Sequence, residues 1–192
     1  MTYATLKADI AQWARRSDLT GAIPSFVALA EMEIYKTHAT PLRVREMEDE
    51  ATLTVTGLVA TVPTDFLEAR YIKLDDNDHT TILYKSPESW NPHSTGFFTI
   101  VGDEIRLPNN VTSNIKIVYL AQPVPLVNDA DTNSVLDNYY GIYLSASMKY
   151  ASVYVKDLNS APTYQTQLDT FLNAAARHSK PMTAGSLVVR TA

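Results

Sequence analysis

Residues 134–154 read SVLDNYYGIYLSASMKYASVY, and after a short break residues 161–179 read APTYQTQLDTFLNAAARHS. In the first segment Leu136, Tyr140, Tyr143, Ser147, Tyr150 and Tyr154 recur at alternating steps of four and three. This spacing keeps them on one side of an α-helix. A second stripe, Tyr139, Ile142, Ala146 and Val153, runs beside it. Ser134 with Asp137 has the form of a capping box, which predicts the helix start. Asn159, Ser160 and Pro162 close this helix and open the next, in which Tyr164, Leu168, Phe171, Leu172 and Ala175 follow at helical spacing. Two amphipathic helices joined by so short a turn should lie antiparallel. Aromatic stripes of this kind are first of all packing. Apolar character on two sides of one helix also calls for partners on two faces, and Tyr139, Tyr143 and Tyr150 are the residues expected at a subunit contact.

The N-terminal segment is helical too. Tyr3, Leu6, Ile10 and Trp13 share a face that Thr2 can cap. Pro24 marks the start of a second helix, whose core face is Phe26, Val27, Ala30 and Ile34, and His38 and Pro41 stop it. The period then changes from 3.6 to 2. Ala51, Leu53 and Val55 alternate with threonines up to Gly57, and Val59 to Val62 can return as a hairpin partner. Ile72 and Leu74, Thr80 to Tyr84, Phe97 to Val101, Glu104 to Leu107 and Ile115 to Leu120 read as further strands, with a turn at Gly102 and Asp103 and a single helical turn at Pro87 to Trp90. The expected fold is therefore α+β. Residues 1–45 and 134–179 form one helical bundle, an antiparallel β domain is inserted at 46–122, a linker occupies 123–133, and an extended C-terminal arm covers 180–192.

Composition excludes several chemistries. Cysteine is absent, so disulfides, thiolate nucleophiles and Cys-ligated metal sites are impossible. A net charge of -5 argues against wrapping nucleic acid, which depends on Lys and Arg contacts to phosphate. No apolar run reaches membrane-span length and no signal segment follows Met1, so a soluble, non-secreted chain is expected. His38, His79, His93 and His178 have no short mutual spacing. Asp75, Asn77 and His79 alternate like the start of a calcium loop, but the central Gly and closing Glu are missing, which leaves a plain acidic turn. Glu46, Glu48, Asp49 and Glu50 read as a solvated acidic run near Arg43 and Arg45. With six glycines in all, no phosphate-cradling loop or nucleophile elbow occurs. No cofactor is expected.

The opening TYATLKADI, Arg16-Ser17-Asp18-Leu19, Ile23-Pro24-Ser25-Phe26, Leu29-Ala30-Glu31, Arg45-Glu46-Met47 and Val62-Pro63-Thr64-Asp65-Phe66-Leu67-Glu68-Ala69-Arg70, in this order, resemble the head-to-tail adaptor proteins of short-tailed bacteriophages. The resemblance implies a non-enzymatic virion protein. It implies a twelve-membered ring beneath the portal, in contact with the portal protein, neighbouring adaptor subunits and nozzle or fibre proteins of the tail, with DNA passing through its channel without specific binding and no membrane involved. Independently of the resemblance, the residues of 62–70 have a structural account of their own, in which Pro63 and Asp65 form a turn that places Phe66 and Leu67 on the core. The arm, with Lys180, Leu187, Val188, Val189 and Arg190, docks by strand addition on the portal or an adjacent subunit. Two other classes stay open at this point. A carbohydrate- or small-ligand-binding module would stack its ligand on Trp90, Phe97 and Phe98. A tail-associated hydrolase would need facing carboxylates, for which Asp65 and Glu68 are the suggestive pair.

Overall fold

A computed structural model of the chain describes residues 1–76 and 80–179. Five α-helices and a seven-stranded sheet are present among them, a mixed α+β architecture. The chain divides into two compact units, Met1–Met47 with Pro123–Ala192, and Glu48–Gln122. The expected arm and the residues Lys180, Leu187, Val188, Val189 and Arg190 lie outside the described residues, as do Asn77 and His79 of the acidic turn.

In the helical unit, α1 (Tyr3–Ala14) starts at Thr2, whose hydroxyl accepts from the Thr5 N–H. Tyr3, Leu6 and Ile10 are buried. Trp13, expected on the same face, is 54% exposed, because the covered stripe ends at Ile10 and the helix stops at Ala14, with Arg15 left-handed at φ 50°. The Arg16-Ser17-Asp18-Leu19 stretch is a 3-10 turn in which the Arg16 guanidinium grips both Asp18 oxygens at 2.9 and 2.6 Å and Leu19 is buried. Helix α2 (Ile23–Met32) has its proline in the first turn, as expected, and passes into a π-turn at Glu33–Thr37 that the sequence did not announce.

The long tyrosine helix is in fact two. Helices α3 (Ser134–Asn138) and α4 (Tyr140–Tyr154) are separated at Tyr139, which leaves the helical region at φ -131° and ψ 42°. The Asn138 side-chain amide donates to the Ser134 carbonyl at 2.8 Å, and the Tyr139 N–H still reaches the Val135 carbonyl at 2.8 Å, so the departure from the helix begins with the Tyr139 dihedrals themselves. The cap also differs from expectation. Asn133, not Ser134, accepts from the Leu136 N–H at 2.8 Å, while the Ser134 hydroxyl donates to the Glu46 carbonyl. Helix α5 (Ala161–Ser179) follows, and α4 packs against α1, α2 and α5. Residues 123–133, expected as a linker, are tied down. The Tyr3 and Ala4 N–H groups donate to the Asp131 and Asp129 carbonyls, Asp131 accepts from the Val127 and Asn128 N–H groups, and Leu126 is buried.

The sheet unit contains β1 (Glu48–Leu53), β2 (Val59–Thr61), β3 (Phe66–Leu74), β4 (Thr81–Tyr84), β5 (Phe97–Val101), β6 (Glu104–Arg106) and β7 (Ile115–Ala121), in the order β1-β7-β3-β4-β5-β6-β2. The expected hairpin of residues 51–62 does not form. The turn exists, with Gly57 and Leu58 both at positive φ and the Thr56 N–H donating to the Val59 carbonyl at 2.9 Å. Strand β1, however, pairs over its whole length with β7, and β2 pairs with β6. The β1 ladder stops where the Asn114 side chain takes the Val55 N–H. The sheet is also not wholly antiparallel. Strands β4 and β5 run parallel, a geometry that residues 85–96 permit because they supply the dozen-residue crossover such a pair requires. Buried Ile72, Ile82, Phe98, Ile105, Ile115 and Ile117 form the core of this unit.

Candidate functional site

The tyrosines of the central helices are distributed over three environments. Tyr143 is fully buried, so it belongs to the interior of the helical unit and not to its surface. Its hydroxyl donates to Glu31 Oε1 at 3.2 Å and accepts from Asn133 Nδ2 at 3.0 Å. A phenol has one proton to give, so the 2.8 Å contact with Tyr35 makes Tyr35 the donor. The chain of hydrogen bonds ends on Glu31, which also accepts from the Leu126 N–H at 3.1 Å. Burial raises the Glu31 carboxyl above its ordinary value, and the Leu126 and Tyr143 donors oppose that shift. Burial likewise raises the Tyr35 and Tyr143 phenols. This is a satisfied polar network that fixes the register of α2, the 123–133 segment and α4.

Tyr139, Tyr140 and Tyr150 are half-buried. Tyr139 donates to Glu46 Oε2 at 3.1 Å and Tyr140 to Asp9, and Tyr150 lies close enough to Glu33 to feel its charge. Burial, and then each carboxylate, pushes the Tyr139 and Tyr150 phenols up to about 12. Beside them a cleft of about 550 Å³ opens between the α3–α4 break and α5, lined by Glu46, Tyr139, Gly141, Phe171 and His178. Gly141 lets the Phe171 ring approach, since a Cβ there would stand 3.0 Å from it. A second cluster carries charge. The Lys149 ammonium is held by both oxygens of Glu33 and, at 3.0 Å, by Gln165 Oε1, and Gln165 in turn reaches Asp169, which accepts from His38 Nε2 at 2.9 Å.

Around these features the helical unit exposes apolar side chains at the ends of its helices. Trp13, Met32, Val153, Tyr154 and Leu158 are each more than half exposed, and Phe171 is 42% exposed. Tyr154 packs on Phe26 at 5.3 Å.

The residues considered for other chemistries are engaged structurally. Trp90 donates to the Phe97 carbonyl at 3.3 Å, Phe98 is buried against Tyr84, and Lys85 lies over the Phe97 ring, so no flat stacking platform remains. Asp65 accepts from the Tyr119 hydroxyl at 3.1 Å, its carbonyl takes the Gln122 N–H, and the Phe66 N–H closes the expected turn on Pro63. Glu46 and Met47, in their 3-10 turn, anchor the helical unit through Tyr139, Ser134 and a buried thioether. No group of three metal-ligating side chains occurs among the described residues, and no described helix is long and apolar enough to cross a membrane. The sequence could not pair Glu31 with Tyr35 and Tyr143, or Glu33 with Lys149. The available signal was the presence of ionic residues inside the apolar runs of α2 and α4.

The short motifs quoted above thus form turns, caps and helix starts, the positions that hold a scaffold in shape. No curated protein matches the chain. The sequence model for the SU10 adaptor protein matches residues 1–190, and the chain therefore belongs to this family of bacteriophage head-to-tail adaptors.

Proposed function

We propose that the protein is a ring subunit, in twelve copies, that sits beneath the portal, joins the capsid vertex to the tail proteins and continues the DNA channel. Membership of a structural adaptor family carries this reading, and the structure supplies the kind of surface it needs. The exposed Trp13, Val153, Tyr154 and Leu158 of the helical unit, with the rims of Tyr139 and Tyr150, form the lateral contact. A net negative subunit suits a channel wall that does not grip DNA, because counterion release rewards only basic groups. Electron microscopy of heads made with and without the protein tests the assignment. A ring at the vertex and tailless heads in its absence are expected, and normal tails without it would overturn the reading.

Two variants probe the contacts. Leu158→Asp, at a residue 68% exposed, should leave the thermal melt nearly unchanged while abolishing incorporation into particles; wild-type incorporation would remove this face from the interface. Deleting residues 181–192 should leave a folded subunit that no longer joins portal-containing heads. This follows from the β-prone Leu187, Val188 and Val189, which a neighbour can pair, and from Lys180 and Arg190, which favour an acidic docking surface.

A further inference from the structure

The seven-stranded sheet is split. Strand β3 pairs with β7 from Phe66 to Leu74, but its other edge pairs with β4 only at Ile72 and Lys73. Beyond Ile82, β4 turns away to β5: Leu83 pairs with Phe97 and Tyr84 with Phe98, the Leu83 N–H donates to the Gly96 carbonyl at 2.9 Å, and the Lys85 N–H to the Phe98 carbonyl at 2.8 Å. Residues 66–71 of β3 therefore face a gap inside the sheet. The gap is a groove of about 460 Å³ with Phe66, Leu67 and Tyr71 on one side, Leu83 and Tyr84 on the other, and Phe98 at its base. Leu83, Tyr84 and Tyr71 are 59%, 58% and 40% exposed, which is unusual for apolar and aromatic side chains surrounding an open strand edge. Two β-bulges in β3, between Phe66 and Glu68 and between Ala69 and Tyr71, lie along this stretch.

We infer that this groove is the acceptor for residues 186–190 of a neighbouring copy, which add to the β3 edge as a further strand; the inference rests on the ring reading above and names the partner of one of its contacts. The donor is argued from the chain itself. Every described strand already has a partner, and Leu187-Val188-Val189 is a β-prone run outside the described residues. As a strand it would set Leu187 and Val189 on one face, toward Phe98, and Ser186, Val188 and Arg190 on the other. The segment departs from Ser179, whose hydroxyl accepts from the Arg45 N–H at 2.9 Å, and the six residues ahead of the donor span about 20 Å when extended, the reach available to a neighbouring copy in lateral contact. A donor strand and an acceptor groove on every copy make a heterologous contact, the kind that closes rings. In a ring the effective concentration of donor at acceptor is about millimolar, which favours the contact in the assembly over the free subunit.

The absence of cysteine allows a direct test. Particles assembled from an equal mixture of Leu83→Cys and Val189→Cys subunits should, on mild oxidation, give disulfide-linked pairs of twice the subunit mass, and neither variant alone should. Tyr71→Cys serves as a second acceptor position. Closed single chains from the double variant, with no linked pairs in the mixture, would show that the segment folds back on its own subunit and overturn the inference. Rings of normal occupancy without any link would remove the groove as acceptor. If wild-type particles contain no ring, it is the ring reading that fails. Wild-type protein provides a check independent of the variants: those amides of residues 67–71 that point away from β7 should exchange about tenfold slower or more in rings than in the free subunit, and equal rates would overturn the proposal.

Discussion

Replacing Lys149 by methionine is expected to destabilise the helical unit by about 3–5 kcal/mol. The ammonium sits between both oxygens of Glu33 and the Gln165 carbonyl, and the Lys149 and Glu33 side chains are only 16% and 10% exposed. Methionine keeps most of the stem's packing but leaves the Glu33 carboxylate buried without its cation. Abandoning a desolvated charge costs far more than losing an exposed ion pair. The double variant Lys149→Met/Glu33→Gln, which removes both charges, should recover at least half of the loss. The two tryptophans make the measurement local, since Trp13 lies in the helical unit and Trp90 in the sheet unit. Urea unfolding followed in single-tryptophan backgrounds should show the Trp13 transition displaced and the Trp90 transition in place. A displacement below about 1 kcal/mol would mean that the pair is hydrated and worth no more than a surface bridge.

Tyr143→Phe should cost about 2–3 kcal/mol, with almost no change in apolar packing. It removes one hydroxyl and leaves two buried groups short of a partner: the Tyr35 hydroxyl, which loses its acceptor, and Glu31, which keeps only the Leu126 N–H. The pH dependence follows from Glu31. Its carboxyl is raised in the folded state, so the folded protein binds the proton more tightly than the unfolded chain. The stability this contributes is fully present below the ordinary carboxylate value and is lost as pH rises through the raised value. Exposed Asp18, Asp131, Asp137 and Asp157 are lowered and act in the opposite direction, so the signal must be taken as a difference. Relative to Glu31→Gln, the wild type should lose ground as pH increases above the normal carboxylate range. Tyr143→Phe should enlarge that loss, because it deletes a donor that favours the charged carboxylate. A pH-independent difference would show Glu31 to be solvated and would dissolve the network as a stability element.

Most of the local structure was legible in the residues. The Thr2 cap, Pro24 in the first turn of its helix, the change of period after Met47, the Gly102-Asp103 hairpin and the burial of Leu6, Ile10, Leu136, Leu168 and Leu172 all follow from spacing and backbone preference, which act within a few residues. The order of motifs across the chain was enough to point to the adaptor family. Pairing was a different matter. Ala51, Leu53 and Val55 alternate as a strand should, yet alternation is silent about which edge a strand joins; β1 found β7 because six paired residues bury more than a short hairpin. The break at Tyr139 was hidden too, since helical spacing persists across it and only the backbone of that one residue leaves the helical region. Tyr143 and Tyr150 lie on the same stripe, but three-dimensional packing sent one into the interior against Glu31 and left the other at the surface. Sequence by itself determined most of the elements, the Thr2 cap and the family, because these depend on local geometry and on the order of motifs. The partners of strands, the burial of individual tyrosines, the pairing of Glu33 with Lys149 and the groove along β3 were decided only by tertiary structure, because each depends on groups distant in the chain competing for the same neighbour.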